Sequence, residues 1–264
     1  MGTAIATSKS IQSEEIFQLQ QELIEKDKLL AQKDEELQSY LHMLSHELKT
    51  PIVTMQGYTS LLEDMFGDLL PEDGKKFLKG ISNNVERLET LVKDLLTLSG
   101  IAIQHSEFTV VDINDLVDDI IIDLYGAYQF KKQPFTVQEN MPKVFGHRDF
   151  LRHVYTNLLV NSIKYSNENV PLKIEIGCSF DEIFPKFFVK DNGVGIPSSA
   201  RKRIFNMFAR AGNKKNVSGT GIGLVIVQKI IEAHDGEIWF DSKKGEGTVF
   251  NFTLPVQKEQ TSSF

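Results

Sequence analysis

The sequence predicts an α+β protein with two domains, a helical hairpin followed by an α/β sandwich. Up to Gly100, apolar residues recur every seven positions among many Glu and Lys residues, which is typical of coiled coils and helical bundles. From Phe108 onward, short β-rich runs alternate with helical stretches, as in a sheet covered by helices. The boundary between the two domains is therefore expected near residues 104–108.

The first part of the chain is predicted to be a coiled-coil signalling helix over residues 13–40, preceded by disordered residues 1–12. Its seam consists of apolar residues spaced seven apart, namely Ile16, Leu23, Leu30, Leu37 and Leu44. A single long helix packed on its own domain is the alternative. The many polar residues outside the seam make that alternative less favourable.

Residues 41–103 are predicted to form a hairpin of two helices. The apolar pattern continues beyond Pro51 to Phe66, breaks in the glycine- and proline-containing segment 67–74, and resumes at heptad spacing from Ile81 to Leu95. One such hairpin would leave its apolar stripe exposed. We therefore expect two copies to combine into a dimeric four-helix bundle.

The first helix of the hairpin carries a candidate nucleophile, His46. A neutral imidazole has an unprotonated ring nitrogen that can attack an electrophilic phosphorus near pH 7. The adjacent Glu47 can hold the other ring N–H and stabilise the positive charge that develops. Thr50 lies one helical turn beyond His46, and Pro51 is expected to kink or loosen the turn before it. This segment therefore predicts a reactive histidine.

The same segment is open to other interpretations. A zinc protease would need a second histidine where Thr50 stands, so that motif is incomplete. His42 and His46 could share a metal ion, but no third ligand is visible nearby. Taken alone, the segment is equally compatible with a solvated helix face.

The second domain is expected to span residues 108–255, followed by a disordered tail over residues 256–264. Helices are predicted over residues 113–126, 148–165 and 222–234. Strands are predicted at Phe135–Val137, Leu172–Ile176, Lys186–Val189, Glu237–Phe240 and Thr248–Leu254.

Two motifs of this domain have the chemistry of a nucleotide site. Asn157, Asn161 and Lys164 share the polar face of a helix, where amide oxygens suit Mg²⁺ and the ammonium suits phosphate. An ordinary amphipathic helix with its Asn side chains in water is the alternative. Asp191 follows a predicted strand, and its carboxylate can accept a hydrogen bond from an exocyclic amine such as that of adenine. Gly193 and Gly195 would let the backbone approach the ligand.

A third motif opens the helix that begins near residue 222. It contains Gly219, Thr220, Gly221, Gly223 and Leu224. Backbone N–H groups at a helix N-terminus bind phosphate without charged side chains. The motif is neither a Rossmann fingerprint nor a Walker A loop, since no strand immediately precedes it and Gly-Lys-Ser/Thr is missing. Residues 204–208 are predicted to be an apolar anchor, followed by a mobile lid over residues 211–218.

Composition excludes several classes of protein. The formal net charge of −7 argues against nucleic-acid binding. A single cysteine, Cys178, excludes an intrachain disulfide framework and fits a reducing compartment. No apolar stretch reaches the length of about 18 residues that a membrane span needs. We therefore expect a cytoplasmic location, with membrane attachment of a longer protein and an upstream sensor domain left open.

Taken in order, these motifs closely resemble those of the histidine kinases of two-component signalling, over about residues 36–255. The matching boxes are the H box at His46, the N box at Asn157–Ser166, the G1 box at Asp191–Gly195, the F box at Phe205–Phe208 and the G2 box at Gly219–Gly223. The resemblance implies a dimerisation and phosphoacceptor domain followed by a Bergerat-type ATP-binding domain, with ATP and Mg²⁺ as cofactors.

The resemblance also implies a role for each matching residue. His46 would accept the phosphoryl group, Glu47 would assist it, and Thr50 would support dephosphorylation of a partner protein. In the ATP site, Asn161 would bind Mg²⁺, while Asn157 and Lys164 would contact the phosphates. Asp191 would recognise adenine, and Tyr165 would contact the nucleotide. The Gly219–Gly223 loop would cover the phosphates, and Arg210 would contact the γ-phosphate.

The implied function is that of a sensor histidine kinase. Such a homodimer phosphorylates its own histidine from ATP and passes the phosphoryl group to an aspartate in the receiver domain of a response regulator. A related ATPase of the gyrase, mismatch-repair or heat-shock chaperone group is one alternative, and a non-catalytic dimeric signalling scaffold is another.

Overall fold

The structure is a computed structural model that describes residues 2–101, 108–130, 132–167, 169–180, 185–209 and 219–255. It consists of a long helical hairpin followed by an α/β sandwich, which confirms the predicted fold class. None of the helices in the described part of the chain combines the length and apolarity needed to cross a bilayer.

The first helix, α1, extends over Gly2–Phe66 and passes through Pro51 without ending there. Residues 2–12 belong to this helix, whereas the sequence predicts that they are disordered. Extending an existing helix costs much less than nucleating one, and residues 3–12 contain neither glycine nor proline to stop it. The predicted tail over residues 256–264 lies outside the described residues.

The hairpin continues through a 3₁₀ turn over Gly67–Leu69 into helix α2, which extends over Glu72–Gly100. Pro71 is the N-cap residue of α2 and has the extended backbone (φ −62°, ψ 160°) that is usual just before a helix begins. The two helices meet through a small cluster of Ile52, Val85 and Val92. Many other apolar side chains of the hairpin are exposed, among them Leu23, Leu30, Leu37, Met55, Leu62, Phe77, Ile81 and Leu88.

Within the described residues, the sandwich contains four helices and seven short strands. The helices are α3 (Ile113–Ala127), α4 (Arg148–Lys164), α5 (Ser198–Arg201) and α6 (Gly223–Ala233). The strands are β1 (Thr109–Val111), β2 (Phe135–Val137), β3 (Val144–Gly146), β4 (Ile174–Ser179), β5 (Lys186–Asp191), β6 (Ile238–Lys243) and β7 (Gly247–Thr253).

The main sheet has the strand order β2-β4-β5-β7-β6, antiparallel except for the β2–β4 pair, and β1 pairs separately with β3. Its inward side chains pack with α3, α4 and α6 in one apolar core. At the centre, the ring of Phe252 lies 5.5 Å from that of Tyr155 and 5.8 Å from that of Phe187. The longer predicted elements agree with the observed ones, whereas β1, β3 and α5 were not predicted.

The second half of α2 contacts the sandwich. Leu91, Leu95 and Leu98 pack against the sandwich core. Beside them, the hydroxyl of Thr220 donates a hydrogen bond of 2.5 Å to the carboxylate of Asp94. This helix therefore belongs to the hairpin and also forms one wall of the second domain.

Candidate active site

A cavity of about 340 Å³ opens between α4, the end of β5 and the loop before α6, with α2 along one side. Most of the residues proposed for the nucleotide site line it. They are Asn157, Asn161, Lys164, Tyr165, Asp191, Gly195, Gly219, Thr220, Gly221, Gly223 and Leu224. Residues from three separated motifs thus meet at one concave surface, as is usual for a ligand site.

Asp191, the last residue of β5, lines this cavity. Its Oδ1 accepts hydrogen bonds from the backbone N–H groups of Gly193 at 2.7 Å and Thr248 at 3.3 Å. The Ser162 hydroxyl lies 3.5 Å from Oδ2. Burial raises the pKa of Asp191, and these donors partly oppose the rise. The carboxylate is therefore fixed in position, with capacity to accept a further hydrogen bond.

The loop after β5 depends on glycine at position 195. Gly195 has a φ of +69°, and a Cβ at this position would lie 2.2 Å from the backbone oxygen of Lys243. The loop therefore packs directly on the turn between β6 and β7. Nearby, the N–H of Val194 donates to the backbone oxygen of Tyr165 at 3.0 Å, which ties the loop to the end of α4.

Helix α4 supplies the polar wall of the cavity. The amide nitrogen of Asn157 donates to the backbone oxygen of His153 at 3.1 Å, so its amide oxygen points away from that bond. This oxygen contacts the start of α6, where a Cβ on Gly223 would lie only 2.4 Å from it. The start of α6 therefore packs directly against the Asn157 side chain, and a Cβ at position 223 would require that side chain to move.

Asn161 and Lys164 lie further along the same wall. The Asn161 side chain forms no hydrogen bond within the described part of the chain, so its amide oxygen is available for a ligand. Burial lowers the pKa of Lys164, and the carboxylate of Asp94 opposes that effect. A partly buried ammonium beside an available amide oxygen is a suitable environment for the phosphates and cation of a nucleotide.

Several lining residues were not singled out from the sequence. Thr90 and Asp94 come from α2, while His153, Thr156 and Thr248 come from the sandwich. The heptad pattern treats positions 90 and 94 as part of the polar surface of the hairpin. Only the packing of the sandwich against α2 brings them to the cavity.

His46, Glu47 and Thr50 lie on α1 and do not line the cavity. All three are exposed. The Thr50 hydroxyl makes no hydrogen bond to any residue that the structure describes, and α1 continues beyond it, so Thr50 does not cap a helix end. Arg210 and the predicted lid over residues 211–218 lie outside the described residues.

Two protein-family models match separate parts of the chain. Residues 146–258 match the histidine kinase-, DNA gyrase B- and HSP90-like ATPases, and residues 36–102 match the His Kinase A phospho-acceptor domain. The second match separates the chain from gyrases and chaperones, which share only the ATPase fold. The fold and the site thus define a protein with a phosphoacceptor hairpin and an ATP-binding domain.

Individual relatives agree with these matches. The phytochrome-like protein Cph1 of Synechocystis sp. is 33% identical over 254 residues, covering 96% of this chain and 34% of that protein. The sensor histidine kinase WalK of Bacillus subtilis is 33% identical over 237 residues, covering 86% and 38%. The crystal structure of full-length ShkA in complex with AMPPNP has a TM-score of 0.63 and 25% identity, covering 83% of this chain and 46% of that one.

The chain belongs to the histidine kinase family of two-component signalling, as its motifs indicated. It spans about a third of the length of Cph1 and of WalK.

Proposed function

We propose that this protein binds ATP in the cavity, phosphorylates His46 within a homodimer, and passes the phosphoryl group to an aspartate of a response regulator receiver domain in the cytoplasm. The observation that carries the proposal is the meeting of Asn161, Lys164, Asp191 and the Gly219–Gly223 loop in one cavity, in a chain whose hairpin exposes a histidine. Phosphoryl transfer needs mainly positioning and charge neutralisation, and these groups can supply both.

Each part of the cavity has a place in this proposal. Asp191 accepts a hydrogen bond from the adenine amine, because its fixed carboxylate retains acceptor capacity. Asn157 and Lys164 contact phosphates, with Tyr165 against the nucleotide and the Gly219–Gly223 loop over the phosphates. The available oxygen of Asn161 fits Mg²⁺, which prefers hard oxygen ligands. When bound, the ion would neutralise charge on the phosphate oxygens.

The acceptor chemistry belongs to the hairpin. A ring nitrogen of His46 forms a bond to the γ-phosphorus while the bond to the β–γ bridging oxygen breaks, which releases ADP. Glu47 is proposed to receive the proton from the other ring nitrogen, and Arg210 is proposed to contact the γ-phosphate. Because His46 is exposed, the histidine is accessible both to the ATP-binding domain and to a receiver domain.

Incubation with γ-labelled ATP and Mg²⁺ tests the proposed function. We expect label on the protein that is stable in base and lost in acid, as a phosphohistidine is, and no label when the metal ion is chelated. Release of labelled phosphate without protein labelling would instead support the alternative of a simple ATPase. Neither labelling nor hydrolysis would support the non-catalytic scaffold.

The exposed apolar side chains of the hairpin support the homodimer. Met55, Phe77, Ile81, Val85 and Leu88 line an open apolar groove between α1 and α2. This groove adjoins the small cluster of Ile52, Val85 and Val92. A second hairpin packed on the groove would bury both in the core of a four-helix bundle.

We expect the protein to have twice its chain mass of 29.9 kDa in light scattering, and Ile81→Glu to produce monomers. A carboxylate in the groove would need to be buried without a partner, which disfavours association. Ile122→Glu is the matched control, because Ile122 is an exposed apolar residue on α3 and lies outside the hairpin. A monomeric wild-type protein, or equal effects of both variants, would contradict the proposed bundle.

Thr50 is proposed to act in dephosphorylation of the regulator, where a hydroxyl one turn beyond His46 can hold the attacking water. We expect Thr50→Ala to retain autophosphorylation and phosphotransfer but to slow loss of phosphate from the purified phosphorylated regulator by about tenfold or more. Thr54→Ala, four residues further on, is the control, since the Thr54 hydroxyl is occupied by the backbone oxygen of Thr50 at 3.0 Å. Equal dephosphorylation rates for wild type and Thr50→Ala would remove this role.

A further inference from the structure

A carboxylate from the hairpin contacts the Gly219–Gly223 loop of the nucleotide cavity. Asp94 on α2 accepts the hydrogen bond from the Thr220 hydroxyl at 2.5 Å, and the same hydroxyl accepts one from the N–H of Ile222 at 3.3 Å. Asp94 therefore caps the loop just before α6 begins. This is the position where a helix N-terminus favours an anion.

The surroundings of Asp94 are those expected for a phosphate. Lys164 and His153, the basic side chains that line the cavity, are both close enough to interact electrostatically with this carboxylate. Burial raises the pKa of Asp94, while Thr220, His153 and Lys164 lower it. The carboxylate is thus partly desolvated. It is stabilised by Thr220 and Lys164, which the proposed function assigns to the ATP phosphates, and by His153, which lines the same cavity.

The contact is supported by packing on both sides. Leu91, Leu95 and Leu98 of α2 pack against the sandwich core, which holds Asp94 against the cavity that it lines. Asp94 also lies near the level of His46. Glu89, five residues before Asp94 on α2, interacts across the hairpin with Lys49 and Gln56 of α1. Five helical residues rise about 7.5 Å along the axis. Asp94 is therefore displaced by that distance from Glu89 toward the level of His46.

We propose that Asp94 is an intramolecular competitor for the phosphate subsite, a latch that must leave the Gly219–Gly223 loop before the phosphates of ATP occupy it. The proposal rests on the proposed function, because it takes this cavity as the ATP site. A carboxylate and a triphosphate repel each other at such short range, so they exclude each other from the loop. ATP binding is thereby coupled to release of the sandwich from α2 at the level of the phosphoacceptor.

The test compares the affinities of full-chain variants for Mg²⁺-ATP and for adenosine, measured by titration under the same conditions. Asp94→Asn keeps the shape of the side chain and removes its charge, and Asp94→Ala also removes the acceptor of Thr220. We expect both variants to bind ATP about fivefold or more tightly than wild type, within the usual range of site coupling. Adenosine lacks phosphates, so its affinity should change by less than about twofold on the same physical argument.

Glu89→Gln is the matched control. It removes one negative charge from the same helix, but Glu89 does not line the cavity and pairs with Lys93 at 2.7 Å. Its affinity for ATP should equal that of wild type. Unchanged or weaker ATP binding by both folded Asp94 variants would contradict the proposed latch. An increase in adenosine affinity equal to the increase in ATP affinity would also contradict it. Failure of the wild type to bind ATP at all would instead overturn the proposed function, and the latch with it.

Discussion

His46→Gln is expected to abolish phosphoryl labelling of the protein by γ-labelled ATP while leaving ATP affinity unchanged. Glutamine has no nucleophilic ring nitrogen, so no phosphoramidate can form. The ATP affinity should persist because His46 does not line the cavity. Since the side chain is exposed, the free energy of unfolding should change by less than about 0.5 kcal/mol. The measurements are labelling after gel separation, ATP titration and thermal unfolding.

The control for this variant is His42→Gln, four residues earlier on the same helix, which should retain full labelling. Label that persists at wild-type level in His46→Gln would assign the acceptor to another residue. Label that survives acid but is lost in base would identify an acyl phosphate or ester rather than a phosphohistidine.

The sequence predicted the elements whose signal is local and long. The hairpin follows from heptads repeated over several turns, and α3 agrees with the helix predicted over residues 113–126. In the structure the Asp112 carboxylate accepts hydrogen bonds from the N–H groups of Asn114 and Asp115 at the start of α3. The longer strands β5 and β7 were recognised from their β-branched and aromatic residues.

Elements whose signal is short or distant were missed. Strands β1 and β3 have three residues each and pair with one another across more than 30 positions, so neither shows a usable alternation. Helix α5 has only four residues, fewer than two helical turns. In these cases the pairing partner, rather than the local sequence, determines the structure.

The same reasoning applies to the site. Asp191 and the glycine loop were recognised because their motifs are contiguous, and their meeting was expected from the family resemblance. Asp94 could not be recognised, because an acid on the polar face of a heptad helix normally faces water. Its contact with Thr220 joins residues 126 positions apart and exists only through the docking of the sandwich on α2.

Asp191→Asn is expected to weaken ATP binding by about 10- to 100-fold, the loss of one charged hydrogen bond of about 1.5–3 kcal/mol. The two backbone N–H groups that contact Oδ1 should hold the amide oxygen of the new residue. Its NH₂ group would then face the adenine amine, so two donors would meet. A guanine base presents an acceptor at that position, so the preference for ATP over GTP should narrow.

The thermal stability of Asp191→Asn distinguishes a specific loss of ATP binding from misfolding. Because burial raises the pKa of Asp191, its ionised form destabilises the fold, and this destabilisation grows as pH rises from the unfolded toward the folded pKa. The neutral Asn variant should therefore have a Tm at pH 7 no lower than that of wild type. Asp241→Asn on β6 is the control, since Asp241 is exposed, contacts Asn251 at 3.4 Å and does not line the cavity. Wild-type affinity for ATP and unchanged ATP-over-GTP preference in Asp191→Asn would reduce this carboxylate to a structural support of its loop.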